Sequence, residues 1–179
     1  MQRAREVNLL LFSYANDYDG QYPTGKSSTE IFQKLIDEKY AVDPSVFYLP
    51  LPGKVPPVDG EKLKPENVGF DVTSGVVADS SDQIPVAFET GYKITYAPGA
   101  AAVPLSATAA QGGFSRTWTQ WWNGEKPLSP SAGIAVGYKS NSAMFIKANA
   151  DGAAPNFISP EFKPDGRTYQ QLTPDGVAP

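Results

Sequence analysis

The chain has 179 residues, a net charge of −4, no cysteine and no histidine, and this length is enough for one domain with a substantial core. An acidic chain is poorly suited to a phosphate backbone, so we expect no nucleic-acid partner. The absence of cysteine excludes disulfides and thiol nucleophiles, and the absence of histidine excludes Ser-His-Asp catalysis. No cofactor-binding fingerprint is present either, so we expect a protein that is not an enzyme and carries no cofactor.

The first 19 residues have the apolar spacing of a helix. Four residues recur at the i, i+3, i+4 and i+7 positions: Val7, Leu10, Leu11 and Tyr14. The segment Asn16 to Gly20 combines side chains that bond their own backbone with a glycine, which predicts the end of the helix. The same stripe suits a domain core or a contact with partner helices, and both interpretations stay open. The pattern starts without an N-cap residue, so we expect the chain to begin inside a longer helix.

A second helix is predicted over residues 27–39, because Ser27 and Glu30 have the spacing of a capping box. Beyond it, alternating patterns predict a sheet region over residues 66–148. Its expected strands are Val68–Thr73, Ile84–Glu89, Tyr92–Tyr96, Gly133–Tyr138 and Ala143–Ala148. The last two form a hairpin around a polar turn. Residues 149–179 hold three Asp-Gly turn signals and are expected to be a loop-rich tail.

The three tryptophans lie in a segment of small residues and glycines over residues 97–130. They are Trp118, Trp121 and Trp122. Together with Tyr92 and Tyr96 they could form a platform that stacks on sugars, because flat rings pair with sugar faces. The same rings serve equally well in core or subunit packing, which is the preferred interpretation.

The order of a helix, a polar turn, Gly-x-Tyr-Pro and a second capped helix resembles that of type IV pilin-like proteins and the major pseudopilins of type II secretion. The residues that carry the resemblance are Tyr14, Asn16, Asp17, Asp19, Gly20, Tyr22, Pro23 and Thr24. Three later segments fit the same order, namely residues 43–47, 69–89 and 133–146. Residues 97–130 have no counterpart in it.

The resemblance implies a single α+β domain, with a long N-terminal helix packed on a small antiparallel sheet with long loops. It also implies a structural subunit of a type IV pilus-like filament or a type II secretion pseudopilus, which polymerises with copies of itself or with other pilin-like subunits. Val7, Leu10, Leu11 and Tyr14 would then form the assembly face. The protein would be periplasmic or at the cell surface, anchored in the inner membrane by an upstream segment, whereas the chain itself is expected to be soluble.

An alternative function is an extracytoplasmic module that binds carbohydrates or surfaces through the tryptophan segment. Calcium is a further possibility, because major pseudopilins are thought to bind it in a C-terminal loop. Oxygen ligands for it are offered by Asp17, Asp19, Asp151 and Asp165. Glu125, Glu89 and Asp82 could supply a carboxylate pair for glycoside hydrolysis, although nothing in the sequence places them together.

Overall fold

The computed structural model describes residues 1–105 and 133–178. Within them the fold is α+β, with two α-helices and a six-stranded antiparallel sheet. The helices are α1 (Gln2–Asp17) and α2 (Ser28–Asp37), and short 3-10 helices cover Pro44–Phe47 and Pro65–Asn67. The strands are β1 (Phe70–Ser74), β2 (Pro85–Glu89), β3 (Tyr92–Lys93), β4 (Val103–Pro104), β5 (Gly133–Tyr138), β6 (Ala143–Lys147), β7 (Gln170–Thr173) and β8 (Gly176–Val177).

The large sheet has the strand order β6-β5-β2-β1-β7-β8, and β3 and β4 form a separate two-stranded ribbon. Phe70 on β1 lies opposite Glu89 on β2, and Ile134 on β5 lies opposite Ile146 on β6. The predicted β5–β6 hairpin is therefore confirmed. Neither β7 nor β8 is predicted, and both lie in the segment expected to be loop-rich.

The expectation of a long N-terminal helix is wrong for this chain, because α1 has 16 residues. At about 1.5 Å per residue it spans roughly 24 Å. It ends where Asp19 and Gly20 take positive φ values of 52° and 82°, as the polar turn predicts. Among the described residues, no helix combines the length and apolar character needed to cross a bilayer.

Helix α1 packs closely on the sheet because β5 offers small side chains to it. Gly133, Ala135 and Gly137 lie on the same face of β5, because every second residue of a strand shares a face. A Cβ atom at Gly137 would lie 2.6 Å from the Cβ of Asn8. Asn8 is buried there, and its Nδ2 donates to the carbonyl oxygen of Tyr138 over 2.9 Å. The close approach and the hydrogen bond together fix the position of α1 across β5.

The opposite face of the sheet is covered by the chain that follows β6. Tyr138 points away from α1, and its hydroxyl donates to the carbonyl oxygen of Phe157 over 2.9 Å. Phe88 and Phe157 pack edge to face with ring centroids 5.3 Å apart. Both sheet faces are therefore buried, which explains why every residue of β2 and β5 is shielded from solvent.

The N-terminal cap of α2 is confirmed. Ser27 Oγ accepts a hydrogen bond from the Glu30 amide over 3.2 Å, and the Glu30 carboxylate accepts one from the Lys26 amide. The next two residues attach the helix to the sheet region, since Ser28 donates to the carbonyl oxygen of Phe70 and Thr29 to that of Pro174.

Candidate functional site

The predicted assembly face on α1 lies largely inside the domain. Val7 and Leu11 are fully buried, and Tyr14 is 4% exposed. Leu10 is partly buried and packs against the same core. These side chains therefore stabilise the contact between α1 and the rest of the domain.

The outward face of α1 exposes two large apolar side chains. Leu9 is 49% exposed and Phe12 is 41% exposed. Helix α1 also contacts β6, an edge strand of the sheet. Phe145 lies opposite Ala135 on the sheet face that carries α1 and is 40% exposed, whereas the adjacent Met144 lies on the other face. We call Leu9, Phe12 and Phe145 the outer apolar surface. Several exposed apolar side chains on neighbouring elements are typical of a protein contact surface.

Each calcium candidate forms local hydrogen bonds or a backbone turn. Asp17 accepts a hydrogen bond from the Tyr40 hydroxyl over 2.7 Å, and Asp19 takes the left-handed conformation that ends α1. Asp151 accepts one from the Ala153 amide. Asp165 accepts one from the Arg167 amide and another from the Tyr169 hydroxyl. Within residues 1–105 and 133–178, no group of three or more acidic side chains lies close enough together to hold a metal ion. Calcium binding therefore stays a prediction.

Two buried carboxyl groups, those of Asp71 and Glu89, lie on the paired strands β1 and β2. Asp71 Oδ2 accepts a hydrogen bond from Gln171 Nε2 over 2.6 Å, while among the described residues Asp71 Oδ1 has no hydrogen-bond partner. Burial raises the pKa of Asp71 to about 7, against the opposing effect of hydrogen bonds from Thr90 and Gln171. Burial also raises the pKa of Glu89 to about 7. Both groups are therefore largely protonated in the folded chain below neutral pH.

Glu89 and Asp82 do not form a glycosidase pair. They flank β2 at opposite ends, and Pro85–Glu89 alone spans roughly 13 Å at about 3.3 Å per step. The carboxyl pairs of glycosidases are roughly 5 to 9.5 Å apart. Glu125, the third carboxylate considered for this chemistry, lies outside the described residues, as do Trp118, Trp121 and Trp122.

A cleft of about 420 Å³ opens beside the C-terminal end of α1. Three separate segments form it: the end of α1 with the following turn, the loop before β2, and the β5–β6 turn. Its apolar lining comes from Phe12, Ala15 and Ala78, and its polar lining includes Asn16, Tyr22, Asp82, Lys139, Ser140 and Asn141. The volume lies within the range of small-molecule sites.

The walls of the cleft are held together by direct contacts. Lys139 Nζ lies 3.0 Å from Asp82 Oδ1, and the Ser140 amide donates to the carbonyl oxygen of Asp82. On the other side, a Cβ atom at Gly20 would lie 2.4 Å from the Cβ of Ala78, so the turn and the loop touch. The cleft is thus shaped before any ligand arrives. No spacing rule predicts it, because its three segments are distant in sequence.

Comparisons with known proteins give no relative: no protein-family model, no curated protein and no solved structure matches the chain.

Proposed function

We propose that the protein is a structural subunit of a type IV pilus-like or type II secretion pseudopilus filament, which assembles through α1 and the elements beside it. The observation that carries the proposal is the outer apolar surface, formed by Leu9 and Phe12 on α1 with Phe145 on β6. Exposed side chains of this size are costly in water unless a partner covers them.

The packing of α1 adds to the argument. One face of the helix holds the domain together through Val7 and Leu11, while the opposite face leaves Leu9 free for a neighbour. A helix that is apolar on both sides can join its own domain to a second subunit. The order of elements that resembles pilin-like proteins supports the same function.

The partners proposed are other copies of the chain or other pilin-like subunits, and the proposed location is the periplasm or the cell surface. Anchoring in the inner membrane before assembly would use a segment upstream of Gln2. Because the chain has no cysteine, introduced thiols report subunit contacts without interference from other thiols of the chain.

The test uses cysteine cross-linking in cells that make the protein. Leu9→Cys combined with Phe145→Cys is expected to give a ladder of disulfide-linked products after mild oxidation. The matched control is Val42→Cys combined with Val103→Cys, because these two apolar residues are 93% and 52% exposed and do not belong to the outer apolar surface. A ladder from the control alone, or only monomer in every case, would contradict the proposal.

A second experiment asks whether the surface is needed for assembly. Leu9→Asp and Phe12→Asp place a charge on the outer apolar surface without entering the core, so the subunit should fold and yet fail to enter sheared filament fractions. Val42→Asp should assemble like the parent. Normal filaments from both charged variants would exclude this surface as the contact.

A further inference from the structure

We infer that the cleft beside the end of α1 binds a neutral saccharide of one or two sugar units. The site shares Phe12 with the outer apolar surface but not Leu9, and it lies outside the tryptophan segment. Its elements are an apolar wall at Phe12 and a set of polar groups around Asn16 and Asp82.

The polar groups of the cleft have unused hydrogen-bonding capacity. Among the described residues, neither the Asn16 amide nor the Tyr22 hydroxyl is hydrogen bonded, and Asp82 is 74% exposed although it pairs with Lys139. Burial, and then the negative charge of Asp82, raises the pKa of Tyr22 to about 12, so its hydroxyl keeps its proton at neutral pH. Amide, carboxylate, ammonium and phenol groups together can donate to and accept from several sugar hydroxyls.

The apolar wall supplies the second requirement of a sugar site. Phe12 exposes its ring beside the methyl groups of Ala15 and Ala78. The C–H face of a sugar ring packs on an aromatic ring and removes apolar area from water, while its hydroxyls point to the polar side. A ligand with one apolar face and a rim of hydroxyls matches this division of the cleft.

The charges around the cleft favour a neutral ligand. Within the lining, the charges of Asp82 and Lys139 cancel. Asp19 and Asp79 lie next to lining residues in the chain and add negative charge at the rim. An acidic sugar or a phosphate would be repelled there, and the ammonium group that could attract it already pairs with Asp82.

The preformed walls reduce the cost of binding. The ion pair between Lys139 and Asp82 and the contact of Gly20 with Ala78 hold the three segments in place. A ligand therefore orders few groups when it enters, and weak contacts add up to measurable affinity.

The test begins with the purified chain on an array of neutral and acidic glycans. The free neutral sugar that corresponds to the strongest signal is then titrated into the ¹⁵N-labelled chain. We expect binding to neutral glycans, with chemical-shift changes at the amides of Gly20, Ala78 and Ser140. Asn16→Ala and Asp82→Asn should each weaken binding by about tenfold.

Asp19→Asn is the matched control, because Asp19 lies outside the lining and asparagine tolerates its positive φ. Its affinity should equal that of the parent. Leu9→Asp should also keep full affinity, which separates this inference from the filament proposal. Absence of binding to every glycan, binding of acidic glycans alone, or shift changes at the tryptophan indoles instead of the cleft would each overturn the inference.

Discussion

Gln171 Nε2 lies 2.6 Å from Asp71 Oδ2 in the buried part of the sheet, and the same nitrogen lies 2.6 Å from the carbonyl oxygen of Tyr92. The Gln171 Oε1 atom accepts a hydrogen bond from the Ile94 amide over 3.1 Å. One side chain from β7 therefore connects β1 to the chain around β3, and both the nitrogen and the oxygen of its amide group form hydrogen bonds.

Replacement of this side chain should be costly. Gln171→Leu keeps a similar volume but leaves the Ile94 amide and the Asp71 carboxyl without their partner, so we expect a loss of about 2 to 5 kcal/mol in the free energy of unfolding. Urea denaturation measures it. Gln170→Leu, at an exposed neighbour on the same strand, should change stability by about 0.5 kcal/mol or less. Equal losses in the two variants would contradict this role.

The buried carboxyl of Asp71 should make stability depend on pH. Its pKa is about 7 in the folded chain against 3.8 ordinarily, so the folded state holds a proton that the unfolded state releases. The stability from this group is complete below about pH 4 and is lost as pH rises through about 7. Asp71→Asn removes this titration. The free energy of unfolding of the variant minus that of the parent should therefore increase as the pH rises from about 4 to about 7.

Denaturant titrations at several pH values check this dependence. The stability of Glu89→Gln relative to the parent should also increase with rising pH, because burial raises the pKa of Glu89 to about 7. Asp59→Asn, at an exposed carboxyl, is the control and should run parallel to the parent. A relative stability of Asp71→Asn that is constant or falls with rising pH would show that Asp71 is ionised in the folded chain.

The packing of α1 on β5 can be tested at its closest point. Gly137→Ala places a Cβ atom 2.6 Å from the Asn8 Cβ, which pushes the helix from the sheet and should cost about 1 to 3 kcal/mol. Thermal unfolding measures the loss, and hydrogen exchange along α1 should accelerate. Ser142→Ala, in the exposed turn that follows, should leave both quantities unchanged. If hydrogen exchange along α1 were as slow in Gly137→Ala as in the parent, this close contact would be contradicted.

The orientation of α1 gives a matched pair of leucines. Leu11 is fully buried and Leu9 is 49% exposed. Leu11→Ala should cost about 2 to 5 kcal/mol, because it leaves a cavity in the core. Leu9→Ala should change the free energy of unfolding by about 0.5 kcal/mol or less. The reverse order of the two losses would mean that α1 is rotated on the sheet.

The sequence predicts elements whose signals are local. The apolar period gives α1, the capping box gives α2, and alternation on both sides of a polar turn gives the β5–β6 hairpin. It does not settle which side of α1 faces the core, because Leu9 and Phe12 widen the apolar stripe while the polar Asn8 is buried. Asn8 lies inside because the Tyr138 carbonyl oxygen accepts its hydrogen bond.

The features missed by the sequence depend on distant pairing. Strand β7 is short and mostly polar, so its pattern resembles a loop, and it becomes a strand by pairing with β1 about a hundred residues earlier. The buried state of Asp71 follows from the same pairing. The cleft combines three segments in the same way, and local patterns carry no information about such combinations.

The position of β1 between β2 and β7 has a consequence for biosynthesis. While the ribosome is still translating the chain, β1 can pair with β2 but has a free edge until Gln170–Thr173 emerge. During that interval the unpaired backbone of β1 is open to other nascent chains. A chaperone that shields residues 70–74 until translation is complete would therefore raise the yield of the folded protein.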